Sequence, residues 1–497
     1  MEPRANNGPA RNYPAQFGLA LDPATRRPSR NTLVGGSPLR VIRLSDGGAH
    51  RLEAWMAGGA VGPDPAARRL ARRLVDSAAA HPRPPAGAGP ATRDLTVVVP
   101  VRDRPSGLQD TLSSLGDLDV VVVDDASVEP LRLDAQRVIH RAGSGGPATA
   151  RNTGWRCVES PIIVFLDADC VPEVGWLSRI LPHFADPVVG AVAPRVRSAA
   201  GSGLLARYEA VMSPLDLGPT EAAVRPGSRV PYVPTACLAV RRCALEACGG
   251  FDEQLRFGED VDLVWRLVEA GWSVRYEPEA VVVHPPRPDA LAWVRQRFDY
   301  GRSAAPLSAR HGSDVAPAAL SPWSAAVWGL AGAGQARAGA ALAGLLSALL
   351  AVRAGRDAPT RRVLAVLAAK GQLVACKSIA TAIRRAWTPP LVLALLSPSR
   401  RLRRRAAVWL AVGFLWPLAD WAALSAKEQR PVMGPISWTA LRWMDDLSYQ
   451  SGLWAGAMEH RSPGALLVRW IRRPRPSTRA RDQAAATDSS SAMPISR

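Results

Sequence analysis

Two aspartates, Asp167 and Asp169, follow directly on the apolar run Ile162–Leu166. Carboxylates at the exit of a buried strand can share a divalent cation, one reaching it directly and the other through water or a ribose. Mn2+ or Mg2+ accepts such hard oxygen ligands and neutralises a diphosphate leaving group. Asp124 and Asp125 end a second apolar run, Val120–Val123, in the same way. One of them can accept hydrogen bonds from a nucleobase while its neighbour caps the next helix, and capping alone also accounts for the pair.

Between the two acidic pairs lies Gly143-Ser144-Gly145-Gly146-Pro147, which opens a helix bearing Arg151 and Asn152. A glycine-rich approach to a helix N-terminus suits phosphate, and Arg151 can pair with the same anion, although such loops also serve as plain turns. Further on, the turn Gly249-Gly250-Phe251 precedes Gly258-Glu259-Asp260-Val261-Asp262. The helical spacing of Leu263, Arg266 and Leu267 puts Glu259, Asp260 and Asp262 in a first turn. There they complement the helix dipole, and Asp262 can pair with Arg266. The alternative makes one of them a general base that takes a proton from an attacking hydroxyl, ionised near neutral pH with no large pKa shift.

The elements that must hold these residues follow from the hydrophobic pattern. Val97–Val99, Val120–Val123 and Ile162–Leu166 are continuous apolar strands, separated by stretches of helical length. Such strands are buried on both faces and belong to a parallel α/β sheet, whose ligands sit at the carboxyl ends of the strands. Residues 1–80 read as a smaller unit. A strand around Leu39–Leu44 and a helix over Ala49–Ala57 precede a second helix, which Asp64 caps and Pro65 opens, in winged-helix-like proportions. Residues 81–93, rich in proline, glycine and alanine, read as a linker before a catalytic unit over 94–313.

The 497 residues carry a formal charge of +19, but the distribution excludes one uniform nucleic-acid-binding surface. The 94–313 segment is net acidic, with 28 acidic against 23 basic residues, while the part after residue 313 has 25 basic against 9 acidic. That last part also holds 10 of the 16 tryptophans and short apolar runs bracketed by arginines, such as the uncharged 15-residue Ala338–Val352. Runs shorter than the roughly 20 residues of a spanning helix, flanked by arginine, suggest helices on or dipping into a membrane surface over 314–471. Anionic lipids are then the expected partner, an Ala-rich soluble helical domain being the alternative. Residues 472–497 read as a disordered basic tail. Six cysteines without metal or CxxC spacing, and a polar N-terminus, lead us to expect free thiols and the cytoplasmic face of the cell membrane.

The order of Val97–Arg104, Asp124-Asp125, Ala150-Arg151-Asn152, Asp167-Ala168-Asp169, Gly249-Gly250-Phe251 and Glu259-Asp260 resembles family 2 glycosyltransferases over residues 94–310. The resemblance implies a GT-A fold, a Rossmann-like mixed sheet, and metal-dependent transfer from a nucleotide sugar with inversion. It implies that Asp124 and Asp125 hold the nucleoside, that Arg151 approaches the nucleotide, and that Asp167 and Asp169 bind donor diphosphate through Mn2+ or Mg2+. Asp260 would be the base and His284 a third metal ligand, a structural histidine being the alternative. Glu259, Asp262 and Arg297 are auxiliary or acceptor-side candidates.

Processive synthases of this family carry Gln-x-x-Arg-Trp on an interfacial helix. Here the corresponding stretch is Arg295-Gln296-Arg297-Phe298-Asp299-Tyr300-Gly301. The departure, with no clear bundle of spanning helices, argues against long-polymer synthesis coupled to export. The layout as a whole is similar to the glycosyltransferases of the mycofactocin system. That implies transfer of glucose units, as β-linked oligomers, from UDP-glucose to premycofactocin, a peptide-derived redox cofactor; a lipid or cell-envelope glycan is the alternative acceptor. The first 80 residues are also similar to the peptide-recognition elements of such pathways, which would use the Leu39–Leu44 strand edge, or else they are a packing module.

Overall fold

The computed structural model describes residues 12–103, 107–133, 136–287, 289–428 and 433–471. Arg104 of the first motif and the tail over 472–497 lie outside the described residues.

The centre is a nine-stranded mixed sheet. Its order is Val171–Pro172, Ser273–His284, Val189–Ser198, Cys237–Arg241, Ile162–Leu166, Leu95–Val101, Val120–Asp124 and Arg137–His140, with Ala222–Val224 also paired to Ser273–His284. The last four in that order run parallel, and Cys237–Arg241 joins them antiparallel through Ile162–Leu166. The continuous apolar runs have a simple cause. Val97, Val99, Val122, Val164 and Leu166 face one core, while Val98, Val121, Val123, Ile163 and Phe165 face the other. Period-two alternation therefore buries every residue. The helix Gly146–Arg156 lies close on the second face because Gly154 has no side chain, where a Cβ would overlap Val98.

The N-terminal unit is winged-helix-like. Strands Arg26–Ser29, Thr32–Gly35 and Arg40–Arg43 form an antiparallel meander beside helices Asp46–Met56 and Pro65–Asp76. Asp64 caps the second helix, its side chain accepting from Ala66 N at 3.0 Å. The expected linker begins too early at residue 81, because Ala80–Arg83 is a strand paired with Gly18–Leu21. Prolines 82 and 84 suggest a connection, yet proline is tolerated where a strand has a free edge. The unit is pinned to the sheet domain by Arg72, whose Nη2 donates to both carboxylate oxygens of Asp186, each at 2.8 Å. Buried His81 adds to this, lying between Asp22 and Arg275.

After residue 314, helices Ala336–Ala354, Ala358–Leu395 and Arg400–Ala426 are each long and apolar enough to cross a membrane by length and composition. This corrects the expectation of runs too short to span. Backbone hydrogen bonding carries a helix through flanking arginines, whose stems are apolar, so the helix outlasts the uncharged run. The Ala358–Ala382 helix touches the rest of the protein near both ends. Leu364 packs with Val34 of the meander, and Ala375 and Ile379 pack with Ala318 and Leu320. The final helix, Pro435–Glu459, returns to the catalytic region and crosses Ala290–Arg302 closely. A Cβ at Gly301 would overlap the Tyr449 carbonyl, and one at Gly452 the Phe298 carbonyl.

Candidate active site

A cavity of about 800 Å³ opens at the carboxyl ends of the parallel strands. Asp125, Arg151, Asp167, Asp169, Glu259, Asp260 and His284 all line it. Asp124, Asp262 and Arg297 do not.

Arg151 organises the cluster. Its Nη1 donates to Glu259 Oε1 and its Nη2 to Asp167 Oδ1, both at 2.8 Å, while its guanidinium stacks over the Phe251 ring. Those two charges hold the buried arginine firmly protonated, against the burial that works to lower its pKa. Asn152, the next residue, donates to the Phe251 carbonyl at 2.9 Å and accepts from Phe251 N at 2.9 Å. Gly250, at φ +77°, turns the chain where a Cβ would meet Asn152 Oδ1. Adjacent residues on one helix thus tie together the Asp-x-Asp strand end, the Gly-Gly-Phe turn and the Glu-Asp helix start.

This pairing sorts the carboxylates. Asp167 and Glu259 are both ion-paired with Arg151, whereas Asp260 has no ion-pair partner among the described residues and accepts only from Val261 N, at 2.8 Å. Burial first, and the charge of Glu259 second, push Asp260 up to about 7, outweighing the Val261 N–H and Arg151. The expectation of an unshifted carboxylate is therefore corrected. A carboxylate in this range is matched to general-base work near neutral pH.

Asp169 Oδ2 stands 3.6 Å from His284 Nε2, beyond hydrogen-bond reach. Two donors each about 2.1 Å from one cation lie roughly 3.0 to 3.6 Å apart for angles between about 90° and 120°, so the spacing and the O/N chemistry fit a shared divalent ion. Cys170 Sγ belongs to the same group of donor atoms, but its soft sulfur suits Mn2+ or Mg2+ poorly. The carboxylate and the imidazole are then the usable pair.

Other expected site residues are engaged in holding the fold. Asp124 accepts from Ser127 N and Leu131 N, each at 3.0 Å, and lies 3.0 Å from His140 Nδ1. Burial alone would raise its pKa, but these contacts hold it at about 2. Asp125 accepts from Gly145 N at 3.1 Å and Gly146 N at 2.8 Å, so it shapes the glycine loop from the cavity wall. Asp262 is buried against Arg266 and His311, at 2.7 and 2.9 Å. Arg297 joins Asp445 and Glu209 in a buried cluster that fastens the Pro435–Glu459 helix.

Sequence reasoning missed several lining residues. Arg295, Gln296, Asp299 and Tyr300 face the cavity from one side of the Ala290–Arg302 helix. Their i, i+4 spacing was the available signal. Arg287, three residues after His284, also lines the cavity, and its buried Nε has no partner among the described residues.

Residues 96–249 match the family model Glycosyl transferase family 2. The chain is 41% identical over 452 residues to the pre-mycofactocin glycosyltransferase of Mycobacterium tuberculosis, covering 88% of this chain and 94% of that protein. It is 26% identical over 213 residues to glycosyltransferase AglE of Haloferax volcanii, covering 39% of this chain and 67% of that protein. Among solved structures, mannosyltransferase PcManGT from Pyrobaculum calidifontis, in complex with GDP-Man and Mn2+, is 19% identical. That match has a TM-score of 0.38 and covers 75% of this chain and 91% of that chain.

Proposed function

Because the chain belongs to the pre-mycofactocin glycosyltransferases of glycosyl transferase family 2, we propose that it transfers glucose-type units from UDP-glucose to premycofactocin with inversion. The observation that carries the reading is the partition of carboxylates in one cavity. Asp260 is raised and unpaired, while Asp169 stands beside His284 at cation-sharing distance. Asp169 and His284 would hold a divalent cation, Mn2+ or Mg2+, which when bound would supply positive charge for the departing diphosphate. Asp167, with Oδ1 taken by Arg151, keeps Oδ2 for water or the donor ribose. Arg287 Nε donates to a phosphate oxygen. Asp125 and the Gly143–Gly146 loop form the nucleoside wall, and Asp124 holds that wall in shape.

Asp260 accepts the proton of the acceptor hydroxyl as its oxygen bonds to the anomeric carbon. The bond from that carbon to the diphosphate oxygen breaks on the opposite face, and the nucleoside diphosphate leaves. Incubating the purified protein with a panel of nucleotide sugars and premycofactocin, followed by mass spectrometry, tests the reading. A hexose ladder on premycofactocin is expected. Hexose appearing only on lipid extracts would overturn the acceptor assignment in favour of an envelope glycan, the reading that the three apolar helices favour.

The same helices suggest attachment in the plane of the membrane at its cytoplasmic face. Leu364 and Ile379 lie 15 residues apart in one helix, roughly 22 Å, and each packs on non-membrane structure. A helix fixed to the body at both points lies along it and presents its outer side, including Val366, Leu373 and Val374, to lipid. The arginines at 400–405 are suited to anionic headgroups.

A further inference from the structure

The catalytic cavity meets a second one, of about 490 Å³, and the same residues line both where they join: Leu215, Pro234, Gly258, Asp260 and Tyr300. Of these, Asp260 and Tyr300 alone carry polar side-chain atoms. The neck between the cavities therefore presents one carboxylate, which accepts hydrogen bonds, and one phenol.

Neighbours on the Ala290–Arg302 helix fix which way that phenol bonds. Arg297 is buried, and its guanidinium can only donate. Its Nε donates to Asp445 Oδ1 at 3.0 Å, its Nη2 to Glu209, and its Nη1 to Gln296 Oε1 at 2.8 Å. The Gln296 amide is thereby held with its oxygen towards Arg297 and its nitrogen towards Tyr300, where Nε2 donates to the phenol oxygen at 3.0 Å. A flipped amide would set its N–H groups against a guanidinium that has no lone pair to offer. Tyr300 thus accepts from Gln296 and keeps its own proton to give, and no acceptor takes that proton among the described residues. Burial first, and the charge of Asp260 second, push the phenol above its ordinary range, so it stays protonated near the carboxylate.

A hydroxyl group in the neck satisfies both side chains. It gives its proton to Asp260, accepts from Tyr300 on one lone pair, and has the other lone pair left for the anomeric carbon. We propose that Tyr300 orients the attacking oxygen by donating its phenolic hydrogen bond to it, and that Gln296, Arg297 and Asp445 are positioning residues that aim this donor. The proposal rests on the glycosyltransferase reading. It ties the Pro435–Glu459 helix, which supplies Asp445, to the reacting atoms. As the oxygen bonds to the anomeric carbon, its proton passes to Asp260 and the carbon–oxygen bond to the diphosphate breaks with its electron pair. Tyr300 keeps its own proton throughout.

The test measures transfer by the full-length protein from UDP-glucose to premycofactocin at pH 8.5. Tyr300→Phe keeps the ring and removes the donor. We expect kcat to fall about tenfold, the upper worth of one neutral hydrogen bond, with the donor KM unchanged. Gln296→Glu keeps the side-chain shape and the contact with Arg297 but accepts the phenolic proton, turning it away from the neck, and should lose a similar factor. The double variant decides between one shared proton and two separate effects. A loss that stays near tenfold supports the proposal, and a loss of about a hundredfold, the product of independent effects, overturns it. A Tyr300→Phe variant with wild-type kcat overturns it as well. The same cycle can be read on donor hydrolysis, where water is the attacking hydroxyl, so it does not depend on which acceptor is correct. Wild-type protein that releases neither glucosylated product nor UDP refutes the glycosyltransferase reading itself, and the proposal falls with it.

Discussion

Replacing Asp260 with asparagine separates catalysis from stability, because the carboxylate is held in a place that disfavours its charge. Its pKa rises from 3.8 to about 7 on folding. At 1.36 kcal/mol per unit, a shift of about 3 units corresponds to roughly 4 kcal/mol. Asp260 is only half-buried, and solvent screening reduces the figure to about 2 kcal/mol. The sign follows from linkage. A group whose folded pKa lies above its unfolded value binds protons more tightly when folded, so the folded state loses stability as pH rises from 3.8 through 7. The substituted amide stays neutral at every pH. Asp260→Asn is therefore expected to be more stable than wild type by about 2 kcal/mol at pH 8, with the gap closing as pH falls towards 4. Transfer should fall about 10²- to 10⁴-fold, the worth of a general base, and the wild-type kcat/KM should rise with pH through an apparent pKa near 7. Urea unfolding at pH 8 and pH 4, with initial rates from pH 5.5 to 8.5, measures both. A variant that is less stable at pH 8, or a wild-type rate flat across pH 7, would refute the reasoning.

Arg151→Leu leaves buried Glu259 and half-buried Asp167 without their cation and should cost about 3 to 5 kcal/mol. Adding Glu259→Gln should recover part of that loss, which a double-mutant unfolding cycle reads. Chelation with EDTA should abolish transfer, and His284→Ala should raise the Mn2+ concentration for half-maximal rate by about 10- to 100-fold; a metal titration at fixed donor checks both. Gly452→Val forces a side chain into the Phe298 carbonyl and should destabilise the protein by about 1 to 3 kcal/mol. Gly371→Ala, in open space within its helix, should instead stabilise by about 0.5 to 1 kcal/mol, and thermal unfolding checks both. Cysteines introduced at Arg337 and Arg353, the two ends of one apolar helix, should both stay protected from an impermeant maleimide added outside spheroplasts. Labelling of one end alone would mean that the helix crosses the bilayer.

Much of this protein is legible along the chain. The strands Leu95–Val101, Val120–Asp124 and Ile162–Leu166 are visible as apolar runs because two covered faces leave no polar alternation, and the Asp64 cap and Pro65 start mark their helix by local chemistry. The candidate residues Asp125, Arg151, Asp167, Asp169, Asp260 and His284 gather in one cavity because strand ends of one sheet share an edge. The C-terminal helices extend beyond their uncharged runs, since charge marks solvent contact while hydrogen bonding decides where a helix stops.

The tertiary structure alone decided which carboxylates are ion-paired and which is not. Asp124 and Asp167 both stand at the end of a buried strand, and Asp260 and Asp262 both in the first turn of one helix, so nothing within a few positions distinguishes the members of either pair. Arg151 reaches Glu259 across 108 positions and Asp167 across 16, which leaves Asp260 as the raised, unpaired group. A second cavity, which Asp260 and Tyr300 also line, is walled by Tyr449, brought there by the glycine-lined crossing at Gly301 and Gly452. Periodicity and capping are energies of neighbouring residues, so the sequence carries them openly. Desolvation and ion pairing depend on what packing brings together from distant parts of the chain, and only the folded molecule fixes that.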